Sequence, residues 1–191
     1  MRASLRPGRQ DEEAVSGMTP FLEGALRWVY ESEPPKVCRA CGYSWSIDAG
    51  EALSVIESSP DRFEAALAGR NGMKSQVDGS WNASAYLWHL TDLARSWAER
   101  WVQIRETPGS RLVGWDPDEL ADVRGYRSLP TSPGLWALRS AVETFAEVTA
   151  TVAFDTPFEH GDWGMGDVAD GLRWLGHEFH HHEMDVVARA V

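Results

Sequence analysis

Between Asn82 and Pro108-Gly109 the apolar residues Tyr86, Leu90, Leu93, Trp97, Trp101 and Ile104 recur in steps of three and four, the spacing that lines one face of an α-helix. A stripe this long and this aromatic is stable in water only when other helices cover it. The rest of the chain supplies them. Asp48 caps a helix carrying Ala52, Leu53, Val55 and Ile56, and Ser59-Pro60 restarts it with Phe63, Ala66 and Leu67 before Gly69, giving a broken first helix. Ser132-Pro133 opens a helix with Leu135, Leu138, Val142, Phe145 and Val148 that closes at Asp155-Thr156-Pro157. The Gly-rich turn from His160 to Asp167 leads into a last helix from Val168 to about Ala190. Residues 110–131 contain Gly, Pro and Asp, with a helical turn at Pro117 to Val123, and form a long connection over one end. No segment alternates as strands joined by hairpin turns do. The expected fold is an all-α four-helix bundle over residues 48–191 with a long crossover.

The segment before the bundle divides in two. Residues 1–17 hold almost no large apolar side chain and are expected to be a disordered tail. Residues 18–47 form a leader, in which Thr19-Pro20 starts a short helix running to Glu33. The leader ends in Cys38-Arg39-Ala40-Cys41-Gly42-Tyr43, a zinc-ribbon-like knuckle with only two of the four ligands that a closed site needs. Its role stays open between a half-site completed by another chain, a redox pair and an eroded ribbon.

A net charge of -11 argues against nucleic acid as a partner, since that affinity comes largely from Lys and Arg neutralising phosphates. No run of about 18 apolar residues is present, which argues against a membrane span. Met1 to Glu13 also lacks the apolar segment of a secretion signal. A cytoplasmic location is expected. Among the ten Trp, Trp88, Trp97, Trp101, Trp136 and Trp174 are expected in the core. Trp163, with Tyr86 and His160, is a candidate for lining a small-molecule pocket.

Four of the six histidines fall between Leu175 and Asp185, and His177 and His181 stand one helical turn apart, able to close on one ion. His177-Glu178-Phe179-His180-His181 also matches the zinc-peptidase pattern, in which Glu178 would be the catalytic base. The longer form of that pattern fails, because Met184 and Val187 stand where Gly and His are required. A third ligand is available upstream in His89, the one histidine within the long amphipathic stripe. Three imidazoles suit zinc, nickel or iron. Asp92 and Glu178 are candidates to orient them. His180 and His182, about 100° away around the helix on either side of the pair, are expected to be bystanders, and Asp185 is expected to pair with an Arg.

With His89 inside Tyr86-Leu87-Trp88-His89-Leu90-Thr91-Asp92 and the pair His177 and His181 in the last helix, the chain resembles the DinB-like (YfiT-like) superfamily over roughly residues 48–191. That resemblance implies a four-helix bundle with one divalent metal held by a His on the second helix and a His-x-x-x-His pair on the fourth. It further implies metal-dependent transfer of a low-molecular-weight thiol, mycothiol or bacillithiol, to a small electrophile. Sixteen of the 18 basic residues are Arg, a GC-rich signature that favours the actinobacterial thiol mycothiol. The expected function is therefore a metal-dependent thiol S-transferase. A non-catalytic metal or small-ligand binding protein is the alternative, with a hydrolase or zinc peptidase ranked below it. A homodimer through helix faces or the cysteine knuckle is also expected.

Overall fold

A computed structural model describes residues 36–190. The tail expected over 1–17 and the helix expected between Thr19 and Glu33 lie outside the described residues. The helices start where the capping residues put them. Asp48 accepts from the backbone N–H of Gly50 at 2.8 Å, and the Glu51 side chain accepts from the Asp48 N–H at 3.3 Å, a reciprocal cap that opens α1 (Ala49–Glu57). Pro60 in the first turn of α2 (Ser59–Leu67) marks the break. Asn82 caps α3 (Ala83–Glu106), and its amide also donates to the carbonyls of Met73 and Arg127.

The connection that follows contains β1 (Arg111–Leu112) and α4 (Pro117–Arg124), whose first N–H groups bond the Asp116 carboxylate. Gly125, at φ 66°, ends α4, and a single 3₁₀ turn, Tyr126–Ser128, leads to α5 (Thr131–Thr149). This crossover is fastened to α3 through one carboxylate. Asp92, 7% exposed, receives both contacts of Arg124 at 2.7 Å and the hydroxyl of Tyr126. Asp92 therefore anchors the crossover instead of orienting an imidazole.

After α5 come β2 (Pro157–His160) and β3 (Gly164–Asp167), then α6 (Val168–Arg189). The three strands form a small sheet in the order β1-β2-β3, with β1 parallel and β3 antiparallel to β2. The sequence does not announce this sheet: β1 has two residues, and β3, Gly-Met-Gly-Asp, lacks the β-branched side chains that mark strands. Its effect is local. Phe158 and His160 alternate inward along β2, which places the His160 ring in the core.

Helix α3 packs on α5 and α6, and α1 and α2 pack on α6. His89 meets His182, and Trp97 meets Trp174. An eight-residue advance on α3 thus matches an eight-residue retreat on α6, so the two run antiparallel. Trp97 and Trp101 are fully buried between them, each of a type whose truncation to Ala costs about 3–5 kcal/mol. Gly171 makes room for this aromatic layer, since a Cβ there would lie 2.6 Å from Trp101. Trp136, expected in the core, is 73% exposed. The buried positions of α5 are Gly134, Ala137, Leu138, Ala141, Val142 and Phe145, and position 136 points away from that face. Among the described residues, no helix is long and apolar enough to cross a membrane.

Candidate functional site

Two groups of metal-type side chains meet on the middle of α6, at residues 177–182. The inner group is His89, Glu178 and His182, with one ligand atom of each within 4.8 Å of the others. His89 and His182 are 5% and 1% exposed and Glu178 is 5% exposed. Such a cluster is costly to bury without strong compensation. Part of it comes from Asp185, whose carboxylate accepts from Nδ1 of His182 at 2.8 Å. That fixes the His182 tautomer and turns Nε2 toward Glu178 Oε2, 3.6 Å away. Nε2 of His89 and Oε2 of Glu178 are buried with no hydrogen-bond partner among the described residues.

The electrostatics of the cluster favour a cation. Burial, reinforced by His182, depresses the proton affinity of His89 to about 3, so its ring is neutral with a lone pair to give. Burial would push Glu178 up, but the His177 N–H on Oε1 and the His182 ring facing Oε2 hold its carboxyl well below the usual range. His182 is raised in spite of burial because Asp185 and Glu178 both face it. Two carboxylates therefore hold one positive charge at this spot, and a divalent cation satisfies the same demand together with the lone pair of His89. The donor set His, His, Glu fits a catalytic zinc-type site of three protein ligands and an open position. Trp81, whose ring is 5.2 Å from His89, and Tyr86, 4.9 Å from His182, wall this cluster. Arg189 lies over Tyr86.

The outer group is Cys38, Cys41, His177 and His181, again with one ligand atom of each within 4.8 Å of the others and each half-buried. The knuckle is a tight turn: Cys38 N–H donates to the Tyr43 carbonyl and Gly42 N–H to the Cys38 carbonyl, both at 2.8 Å. Gly42 takes φ 77° there, a conformation open to glycine. It is pinned to α6 by Tyr43 Oη donating to the Arg173 carbonyl at 2.9 Å and by His180 Nε2 donating to the Cys41 carbonyl at 3.1 Å. Gly176 keeps the approach open, since a Cβ there would lie 2.6 Å from Tyr43 Oη. Although burial raises the Cys38 thiol, the N–H groups of Cys41 and Ala40 and the imidazoles of His177 and His181 outweigh it and draw it down to about 6. Cys41 is pushed up to about 11 by burial and by its neighbour Cys38.

The expected triad His89, His177 and His181 thus divides between two groups: His177 and His181 converge with the cysteines, and His89 converges with Glu178 and His182. His182, expected to be a bystander, is the most buried histidine of the chain, and His180 holds the knuckle. Asp185 pairs with His182 where an Arg was expected. The Tyr86 ring packs 4.9 Å from His182. Trp163 and His160 instead stack on each other at 4.0 Å and join Trp97 and Trp174, about two helical turns, roughly 12 Å, farther along the bundle. The signal for His182 was present in the sequence. It continues the stripe Leu172, Leu175, Phe179, Val186 at steps of three and four, and Glu178 lies on its edge. Trp81, just before the α3 cap, carried no such signal.

No protein-family model and no curated protein matches the chain. Among solved structures it is similar to YfiT from Bacillus subtilis, described as a probable metal-dependent hydrolase with an unusual four-helix bundle topology. The TM-score is 0.64, with 16% identity, covering 83% of this chain and 93% of that one. The fold is that of this four-helix bundle.

Proposed function

We propose that the chain is a metal-dependent enzyme acting on a small molecule, with His89, Glu178 and His182 holding one divalent ion. The observation that carries the reading is the convergence of buried ligand atoms of His89, Glu178 and His182 within 4.8 Å of one another, with Nε2 of His89 making no hydrogen bond among the described residues. A divalent ion held there supplies Lewis acidity that lowers the pKa of a thiol or water beside it. The residues do the rest. Asp185 holds His182 in one tautomer, Glu178 contributes the negative charge, and Trp81 and Tyr86 exclude water and offer flat apolar walls to an electrophile. One carboxylate and two neutral imidazoles would leave a divalent ion held here with a net charge of plus one, so the residues favour an anionic co-ligand.

Thiol S-transfer is the favoured reaction. The sulfur–carbon bond forms as the bond from carbon to leaving group breaks, and the thiol proton goes to solvent. Arg189, whose Nε is buried without a hydrogen-bond partner, is suited to an anionic group on the thiol or electrophile. Hydrolysis is the second reading, favoured by the description of YfiT. The peptidase reading is disfavoured by where its residues face, because His177 and His181 turn to two cysteines and away from the space beside His89. The deciding experiment supplies metal-loaded protein with mycothiol and a bimane electrophile, and separately with small esters and amides, alongside His89→Ala. Metal-dependent loss of thiol that His89→Ala abolishes supports transfer. Ester or amide cleavage without thiol loss supports hydrolysis. Full metal occupancy with neither activity overturns the enzyme reading in favour of a binding protein.

A further inference from the structure

We propose that Cys38, Cys41, His177 and His181 bind a second ion, zinc, in a closed tetrahedral site that fastens the cysteine knuckle to the last helix. Two thiols two residues apart and two imidazoles one helical turn apart are the spacings of a closed Cys₂His₂ zinc site, here separated by most of the chain. The sequence offers half a site in each place, and the fold brings the halves together. Nδ1 of His181 faces Cys38 Sγ at 3.9 Å. His177 uses Nδ1 on Glu178 Oε1 at 3.3 Å, which leaves its Nε2, buried and with no hydrogen-bond partner among the described residues, for the ion. A bound zinc draws such atoms to separations of roughly 3.3–3.8 Å, a small contraction from the present spacing.

The charge balance favours zinc here. Two thiolates and two neutral imidazoles cancel a divalent charge completely, which suits a half-buried position, and the two thiol protons leave to solvent on binding. Four protein ligands also leave no open position, so this ion is structural. A disulfide between Cys38 and Cys41 would leave both imidazoles converging on nothing, and both cysteines are free thiols. The supports around the turn have the same purpose. Tyr43 and His180 hold the knuckle backbone to α6, and Trp45 stacks on His177 at 4.4 Å, fixing the ring that must present its nitrogen.

The test uses the full chain, reduced and metal-free, loaded with Co(II) alone and then with zinc. Thiolate-to-cobalt charge-transfer absorption is expected in the unsubstituted protein and in His89→Ala, and its loss is expected in Cys38→Ser/Cys41→Ser. Its absence from the folded, unsubstituted protein overturns the site. Should the double variant fail to fold, thiol labelling of the unsubstituted protein decides. Zinc should protect both cysteines and a chelator should restore their reactivity, whereas equal labelling with and without zinc overturns the site. Competition with a chromophoric chelator should show His181→Ala binding zinc at least about tenfold more weakly, and unchanged affinity overturns the histidine half. The two centres fail separately. One equivalent of metal lost in His89→Ala, with reactive cysteines, overturns the outer site and leaves the inner one standing. Two equivalents in the unsubstituted protein that fall to one in His89→Ala, with thiolate absorption kept, support both sites, whereas one equivalent in both proteins, with thiolate absorption, supports the outer site and counts against the inner.

Discussion

Nδ1 of His177 donates to Oε1 of Glu178 across 3.3 Å, so consecutive residues of α6 join two groups that face different ways. A helix turns about 100° per residue, and this step is enough to send the imidazole to the cysteine knuckle and the carboxylate to the bundle interior. The contact makes an outer ligand the hydrogen-bond partner of an inner one. Anything that fixes the His177 ring also fixes the Glu178 carboxylate, which otherwise would have to be held in place by the buried His182 alone.

Glu178→Gln keeps the volume of the side chain and removes its charge. The inner centre is expected to lose affinity by more than the roughly 10- to 100-fold that removal of an outer partner costs, while the outer centre keeps its zinc. Metal content of the purified variant, measured with and without labelling of the cysteines, distinguishes the two ions. Loss of both would mean that the groups are not separate.

Asp185→Asn removes the carboxylate that accepts from His182 Nδ1 at 2.8 Å. Carboxylate partners of this kind raise the basicity of a ligating imidazole and fix its orientation, so affinity at the inner centre should fall about 10- to 100-fold with the helical circular dichroism unchanged. Calorimetric titration with a single divalent metal measures the change. Equal affinity would remove Asp185 from the site.

Much of this arrangement is legible in the sequence. The cap at Asp48, the break at Ser59-Pro60 and the long stripe of α3 all became helix boundaries or buried faces, because each acts through neighbours within a turn or two. The metal chemistry was legible as a type of residue and not as a partnership. His177 with His181 and Glu178 with His182 are both one-turn pairs, and spacing alone treats them alike. Which pair enters the bundle depends on the apolar stripe of α6, and which meets the cysteines depends on a knuckle 136 positions before His177. The sheet was hidden for a different reason. Strands of two and four residues gain their order from pairing with distant segments and leave little alternation to read.

Gly171 tests the aromatic layer directly. A methyl group there would stand 2.6 Å from the Trp101 ring and 3.4 Å from Trp97, both fully buried and unable to retreat into solvent. Gly171→Ala gains helix propensity but overpacks the core, and the net expectation is a loss of about 1–3 kcal/mol. A lowered urea midpoint with an unchanged slope would show it. A rise in stability would mean that the α3–α6 contact adjusts freely.

His160 gives the bundle a pH dependence independent of either metal group. Its ring is buried against Trp163 and Trp97, and its Nδ1 accepts the backbone N–H of Asp162 at 3.3 Å, a contact that needs the neutral tautomer. Burial and the Arg100 guanidinium from α3 depress its proton affinity from 6.5 to about 4, with the Asp162 carboxylate opposing them. Below the ordinary histidine range the unfolded chain therefore takes up a proton that the folded chain refuses. Stability attributable to this residue is fully present above about pH 6.5 and falls as pH drops toward 4, by up to about 1.4 kcal/mol per unit, then levels off once the folded ring also protonates. His160→Phe keeps the stacking surface, loses the Nδ1 contact and cannot titrate. It should be less stable near pH 7 yet decline less between pH 6.5 and 4. Urea unfolding of both proteins in chelator, so that neither metal group contributes an ion, measures the difference, and parallel curves would show that His160 titrates alike in the folded and unfolded chains.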